Sequence, residues 1–203
     1  MREWPEDWGQ RLRGKGCPMC AEGRPDTVPR GNTRIFKGVA CDAYLARKDV
    51  GQPGYTVVIW RGRHVADPTE LAEREAGTYF AEVLRVGRAI ERHYQPIKMN
   101  FEMLGNQLPH LHTHVIPRYL DDGEPGHPAH FMRTDAKGKT EIPEETYTRD
   151  VDALRALLGY PEVPVSAAAR KARPAASPRR GRGARASASR PGRARPSSSR
   201  RRR

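Results

Sequence analysis

Every second residue from 110 to 114 is a histidine, in the run His110-Leu111-His112-Thr113-His114. An extended chain turns its side chains to the same face every second residue, so the three imidazoles share one face with neighbours about 6.5–7 Å apart. A sheet normally fills such positions with Val or Ile, so three titratable rings there point to a site and not to a core. The run needs partner strands, and the sequence offers them. Arg34–Phe36, Ala40–Leu45 and the β-branched stretch Tyr55–Trp60 read as strands of a meander, and Ile97–Leu104 and Leu111–Ile116 read as two more, separated by Gly105-Asn106-Gln107 and closed by Pro117. Asp67-Pro68 supplies a helix start, and Ala76, Phe80, Val83, Gly87, Ile90 and Tyr94 recur at spacings of three and four. One long helix over roughly 68–94 follows, ending before Pro96. The expected class is α+β: an antiparallel five-stranded sheet, one long helix on a face, and a short C-terminal helix at Val151–Leu158.

A chain of 203 residues has room for one domain of ordinary size. Residues 1–33 are rich in Pro, Gly and charge and read as a loop-rich arm; residues 34–160 form the domain; residues 161–203 read as a disordered tail. Within the domain, 121–140 is polar and is expected to be a mobile loop. The net charge of +13 is lopsided: residues 166–203 hold fourteen Arg or Lys and no acid, which leaves residues 1–165 at −1. The body is therefore no general polyanion binder. The tail alone can contact nucleic acid without sequence preference, through counterion release, or it is a solvated extension of Arg, Ala, Pro, Gly and Ser. With no apolar run for a secretory signal or a membrane span, a cytoplasmic protein without membrane contact is expected.

Three cysteines, two of them as Cys17-Pro18-Met19-Cys20, suit a metal or redox pair better than a disulfide framework. Two thiolates plus two histidines from elsewhere in the chain make a tetrahedral set that would tie the arm down. A redox dithiol and free thiols are the other readings. Cys41, on a strand, reads as a small core residue. His93 near a helix end suits the helix dipole, His127 and His130 fall in the polar loop, and Trp4 and Trp8 read as packing for the arm.

The string Gly105-Asn-Gln-Leu-Pro-His110-Leu-His112-Thr-His114-Val-Ile-Pro-Arg-Tyr119 resembles the signature of the histidine-triad (HIT) family, His-φ-His-φ-His-φ-φ with φ apolar. Pro53-Gly54-Tyr55 through Arg63-His64 is similar to the family's strand that ends in a basic residue and histidine before the long helix, so the resemblance covers roughly residues 15–120. It implies a HIT-like fold, often paired as a homodimer, and a nucleotide hydrolase or nucleotidyl transferase like the diadenosine polyphosphate hydrolases. His112 would attack the α-phosphorus of a dinucleoside polyphosphate or nucleoside phosphoramidate and carry the nucleotidyl group. Asn106, Gln107 and His114 would contact the substrate. A branch of the family, and its relative galactose phosphate uridylyltransferase, also has a Cys-x-x-Cys; carried over, its structural Zn2+ ligands are Cys17, Cys20, His64 and His110. Thr113 stands at an apolar position of the motif, and Tyr55 where many members have the histidine of Pro-Gly-His. The alternatives are a nucleotide-binding regulatory module with little turnover and a protein associated with nucleic acid through its tail.

Overall fold

The structure is a computed structural model that describes residues 4–28, 31–50, 52–122, 126–129 and 141–160. The tail 161–203, most of the expected loop 121–140, and His130 lie outside the described residues.

Among the described residues six antiparallel strands form one sheet: β1 (Thr27–Val28), β2 (Asn32–Lys37), β3 (Cys41–Leu45), β4 (Thr56–Trp60), β5 (Lys98–Glu102) and β6 (His112–Arg118). Their order is β1-β2-β3-β4-β6-β5. The strand beyond the expected five is β1, two residues of the arm that add to the edge of β2. Two residues carry no readable alternation, so the sequence offered no signal for it. Pro117, expected to close β6, instead lies inside it opposite Met99. The pairing of β6 with β4 ends at Val115, so the missing proline N–H falls beyond that ladder.

The two faces of the sheet differ in chemistry. Register and alternation place Cys41, Ala43, Leu45, Val58, Trp60, Thr113 and Val115 on one face. Against that face lies the long helix α3 (Glu73–Tyr94), which buries Tyr79, Val83, Val86, Gly87, Ala89 and Ile90. The buried stripe keeps Val83, Gly87 and Ile90 of the expected one but takes Tyr79, fully buried, in place of Phe80, which is 37% exposed. The reason is a polar pair in the core: the hydroxyls of Tyr79 and Thr113 are 2.8 Å apart. The helix starts later than expected because Pro68–Glu70 is a separate 3-10 turn. There Glu70 accepts the N–H groups of Ala66 and Asp67, each at 2.9 Å, and a second carboxylate, Glu75, accepts the Ala72 N–H at the start of α3.

The terminal helix (Glu144–Leu158) begins seven residues before the expected start. Its first turns are anchored by polar groups that an apolar pattern cannot reveal. The Tyr147 hydroxyl donates to the Leu45 carbonyl and accepts from the Thr33 N–H, both at 2.8 Å. Asp150 takes His93 and Tyr94 of α3, both at 3.0 Å, so His93 serves a hydrogen bond between helices. Two short helices, α1 (Trp8–Arg11) and α2 (Pro18–Ala21), order the arm; the terminal helix is α4. Trp4 and Trp8 pack on each other, 4.6 Å between ring centroids.

The second face presents Asp42 and Tyr44 from β3, Val57 and Ile59 from β4, and His112 and His114 from β6. Part of it is covered by the arm. The fully buried Asp42 carboxylate takes the Arg24 guanidinium at 2.6 and 2.8 Å and Arg61 Nε at 3.0 Å. Arg61 reaches on to the Met19 carbonyl at 3.0 Å, which ties α2 to the end of β4. The rest of this face carries the triad. No helix among the described residues is long and apolar enough to cross a membrane.

Candidate active site and metal centre

His112 lies in β6 opposite Ile59, and His114 opposite Val57, so β4 and β6 set both rings on the open face of the sheet. Their ring centroids are 4.7 Å apart, edge to face. His112 is 8% exposed, and its Nδ1 donates to the His110 carbonyl at 2.5 Å. Burial pushes its pKa below the usual histidine range against the opposing effect of that hydrogen bond. The neutral ring thus keeps its lone pair on Nε2. Burial, and then the neighbouring His112 imidazole, push His114 down to about 3, and its Nδ1 is 2.8 Å from the Tyr55 hydroxyl.

Between β5 and β6 the loop Leu104–Leu108 walls a cleft of about 300 Å³ that His112 and His114 also line. Asn106 and Gln107 both line it. The four residues singled out for nucleophile and substrate contact are therefore brought to one concavity. Sequence reasoning gave no role to Tyr55 or to the apolar walls Leu104 and Leu108. Tyr55 shares its face with Val57 by alternation, but its closeness to His114 follows from the β4–β6 register, which composition and spacing do not contain.

His110 precedes β6 and turns away from this cleft. Its Nε2 donates to the Trp60 carbonyl at 2.9 Å, so Nδ1 carries the lone pair. That nitrogen is 3.4 Å from the sulfurs of both Cys17 and Cys20, and Cys20 Sγ is 3.3 Å from His64 Nδ1. All four ligand atoms lie within 4.8 Å of one another. A tetrahedron with Zn–S of about 2.3 Å and Zn–N of about 2.0–2.1 Å has edges of roughly 3.3–3.8 Å; the three contacts at 3.3–3.4 Å match such edges, and the widest separation, up to 4.8 Å, has to shorten by about 1 Å for all four residues to hold one ion. The chemistry of the donors agrees. Burial, and then the neighbouring Cys17, hold the Cys20 thiol up at about 11, and burial first, with His64 and His112 next, pushes His110 down to about 4. Neutral histidine and clustered thiols favour a cation that replaces their protons. His64 Nε2 is buried without a hydrogen-bond partner. Gly14, at φ +85°, lies against the His64 ring, where a Cβ would come within 2.7 Å of Cγ. Cys41 is fully buried in the main core.

Residues 41–121 match the HIT domain model. That segment is a HIT domain. Within the curated proteins, the HIT domain is similar to "Protein hit" of Bacillus subtilis, 35% identical over 82 residues that cover 37% of this chain and 56% of that protein. It is also similar to bis(5'-adenosyl)-triphosphatase of Saccharomyces cerevisiae, 31% identical over 72 residues, 33% of this chain and 35% of the enzyme. The chain thus spans about half or less of the length of these relatives. In fold it resembles a histidine triad protein from Bradyrhizobium japonicum, with a TM-score of 0.56 at 20% identity over 63% of this chain and 90% of that one. A histidine triad protein from Marinobacter aquaeolei gives a TM-score of 0.55 at 22% identity, over 63% and 89% of the two chains.

Proposed function

We propose that this HIT protein hydrolyses or transfers nucleotidyl groups at the α-phosphate of a dinucleoside polyphosphate or nucleoside phosphoramidate, with His112 as the nucleophile. The observation that carries the reading is the hydrogen bond from His112 Nδ1 to the His110 carbonyl, 2.5 Å long, in a ring kept neutral by burial. It fixes the tautomer whose Nε2 attacks, in a residue that lines a cleft of nucleotide size. The activity named for the yeast relative agrees with this chemistry.

In the first step the His112 Nε2–P bond forms and the bond from phosphorus to the leaving oxygen or nitrogen breaks, its electron pair leaving with that atom. Water then attacks phosphorus, the N–P bond breaks, and His112 returns to its starting form. With the Tyr55 O–H donating to His114 Nδ1, 2.8 Å away, the neutral ring would carry its hydrogen on Nε2 and donate to a phosphate oxygen. Asn106 and Gln107 orient the remaining phosphate and leaving-group oxygens.

Cys17, Cys20, His64 and His110 would hold a Zn2+ ion. Bound there it supplies structural cross-linking, since four protein ligands leave no position for water. His110 belongs to both centres: its Nδ1 faces the sulfurs and its carbonyl holds the nucleophile. The experiment is a screen of purified protein against diadenosine polyphosphates, adenosine phosphoramidate and nucleotide sugars, repeated with His112→Ala. Turnover that disappears in the variant while AMP binding and Tm stay within error is the expected result. A variant that retains wild-type turnover contradicts the assignment.

A further inference from the structure

We propose that the N-terminal arm builds a second subsite against the triad cleft, which receives the phosphate-bearing leaving group of the substrate. This rests on the catalytic reading above and deepens it, because it makes a dinucleoside polyphosphate, rather than a phosphoramidate, the substrate that this chain is shaped to hold.

A cavity of about 400 Å³ opens between the arm and the loop before the triad, walled by Asp7, Arg11, Lys15 and Cys17 on one side and by Gln107 and Leu108 on the other. Gln107 and Leu108 also wall the triad cleft of about 300 Å³, so the two concavities adjoin across that loop. A cleft of that size is at the small end of ligand pockets and suits one nucleotide, not two. The second half of a dinucleotide needs further space, and the arm provides it. Gly16 has φ +66°, and a Cβ there would meet nothing within 4 Å.

The charge on the wall suits phosphate. Arg11 and Lys15 contribute two cations against the one carboxylate of Asp7. Asp7 engages Arg11 at Nε, 2.9 Å, which orients the guanidinium. The Lys15 ammonium sits on the neutral Gln10 amide oxygen at 2.5 Å. These residues lie outside the matched HIT domain of residues 41–121, so the subsite belongs to the arm. When His112 Nε2 bonds to the α-phosphorus, the bridging P–O bond breaks and its electron pair moves to the oxygen of a departing nucleoside polyphosphate. Cations beside that group stabilise the charge as it develops. A phosphoramidate releases an amine that carries no phosphate, and Arg11 and Lys15 have nothing to hold.

The test compares the full-length protein with Arg11→Ala/Lys15→Ala on diadenosine triphosphate and on adenosine phosphoramidate. It also measures inorganic pyrophosphate binding by calorimetry with the triad cleft saturated by AMP. Lys15 is exposed and Arg11 half-buried, neither belongs to the core, and an unchanged Tm checks that the fold is kept. The expected result is a loss of about tenfold or more in kcat/KM on the triphosphate, carried mainly by KM, against less than about threefold on the phosphoramidate. Pyrophosphate binding is lost as well, and Arg11→Lys/Lys15→Arg restores both. Equal losses on the two substrates, or pyrophosphate binding that survives the double substitution, overturn the subsite. If the wild type turns over neither substrate, the catalytic reading fails and the binding arm decides alone: pyrophosphate bound by wild type and lost in the variant supports the subsite, and none bound by wild type overturns it.

Discussion

Thr113 shows why one residue of a motif cannot be read without its neighbour in space. In the HIT pattern the position is apolar, yet here its hydroxyl is buried 2.8 Å from that of Tyr79, which also reaches the Val58 carbonyl at 3.4 Å. Each polar group licenses the other. Thr113→Val leaves the buried phenol with only the longer bond and should cost about 1–3 kcal/mol, whereas adding Tyr79→Phe should recover part of that loss. Chemical denaturation of the two single variants and the double variant measures the coupling, and strictly additive losses would show that the hydroxyls do not interact. Tyr55 is the other residue whose meaning lies in the register. Tyr55→Phe removes the partner of His114 Nδ1 and frees the ring to take the other tautomer. The expected outcome is a fall in kcat of about five- to fiftyfold with Tm nearly unchanged, on the scale of general positioning effects. A variant with wild-type kcat would show that His114 needs no orientation from Tyr55.

At the scale of elements, the arm is the part that the sequence reading left loosest and the structure binds most tightly. The thiol pair, His64 and His110, named from sequence as one ligand set, lie together in the structure, but a second link between arm and sheet was not legible. Asp42 looks like an ordinary strand acid in sequence; only the pairing of β3 with β4, and the arm folded over that face, bring Arg24 and Arg61 to a carboxylate with no exposure. Long-range ion pairs leave no periodic trace, whereas α3 was readable because its stripe repeats locally. The early turns of α4 were missed for the same reason, since Tyr147 and Asp150 are buried polar anchors. Asp42→Asn strips the charge that the buried Arg61 and the part-exposed Arg24 face and should cost about 3–5 kcal/mol. Because Arg61 also holds the Met19 carbonyl between the two cysteines, the same variant should lose metal faster to a chelator. Metal analysis and Tm before and after chelation check this. A wild type that carries no metal and is indifferent to chelation would remove the metal centre from the account.

Across the molecule, one sheet separates structure from chemistry. The face against α3 is a core, and the opposite face holds Asp42 under the arm and the triad beside it. The alternation of three histidines predicted that open face, although His110 does not stay on the cleft with the other two. It turns toward Cys17 and Cys20, and its backbone carbonyl fixes His112. A metal that orders the arm would thereby hold the nucleophile's partner and close the cavity that carries Arg11 and Lys15. The claim on which this arrangement depends is that His112 takes the nucleotidyl group covalently. The direct measurement mixes the protein with excess diadenosine triphosphate, quenches it without acid within the first turnovers, and determines the intact and peptide masses. The account predicts one nucleotidyl group per chain, located on His112 and absent from His112→Ala. Steady turnover with no adduct, or an adduct on any other residue, would contradict it.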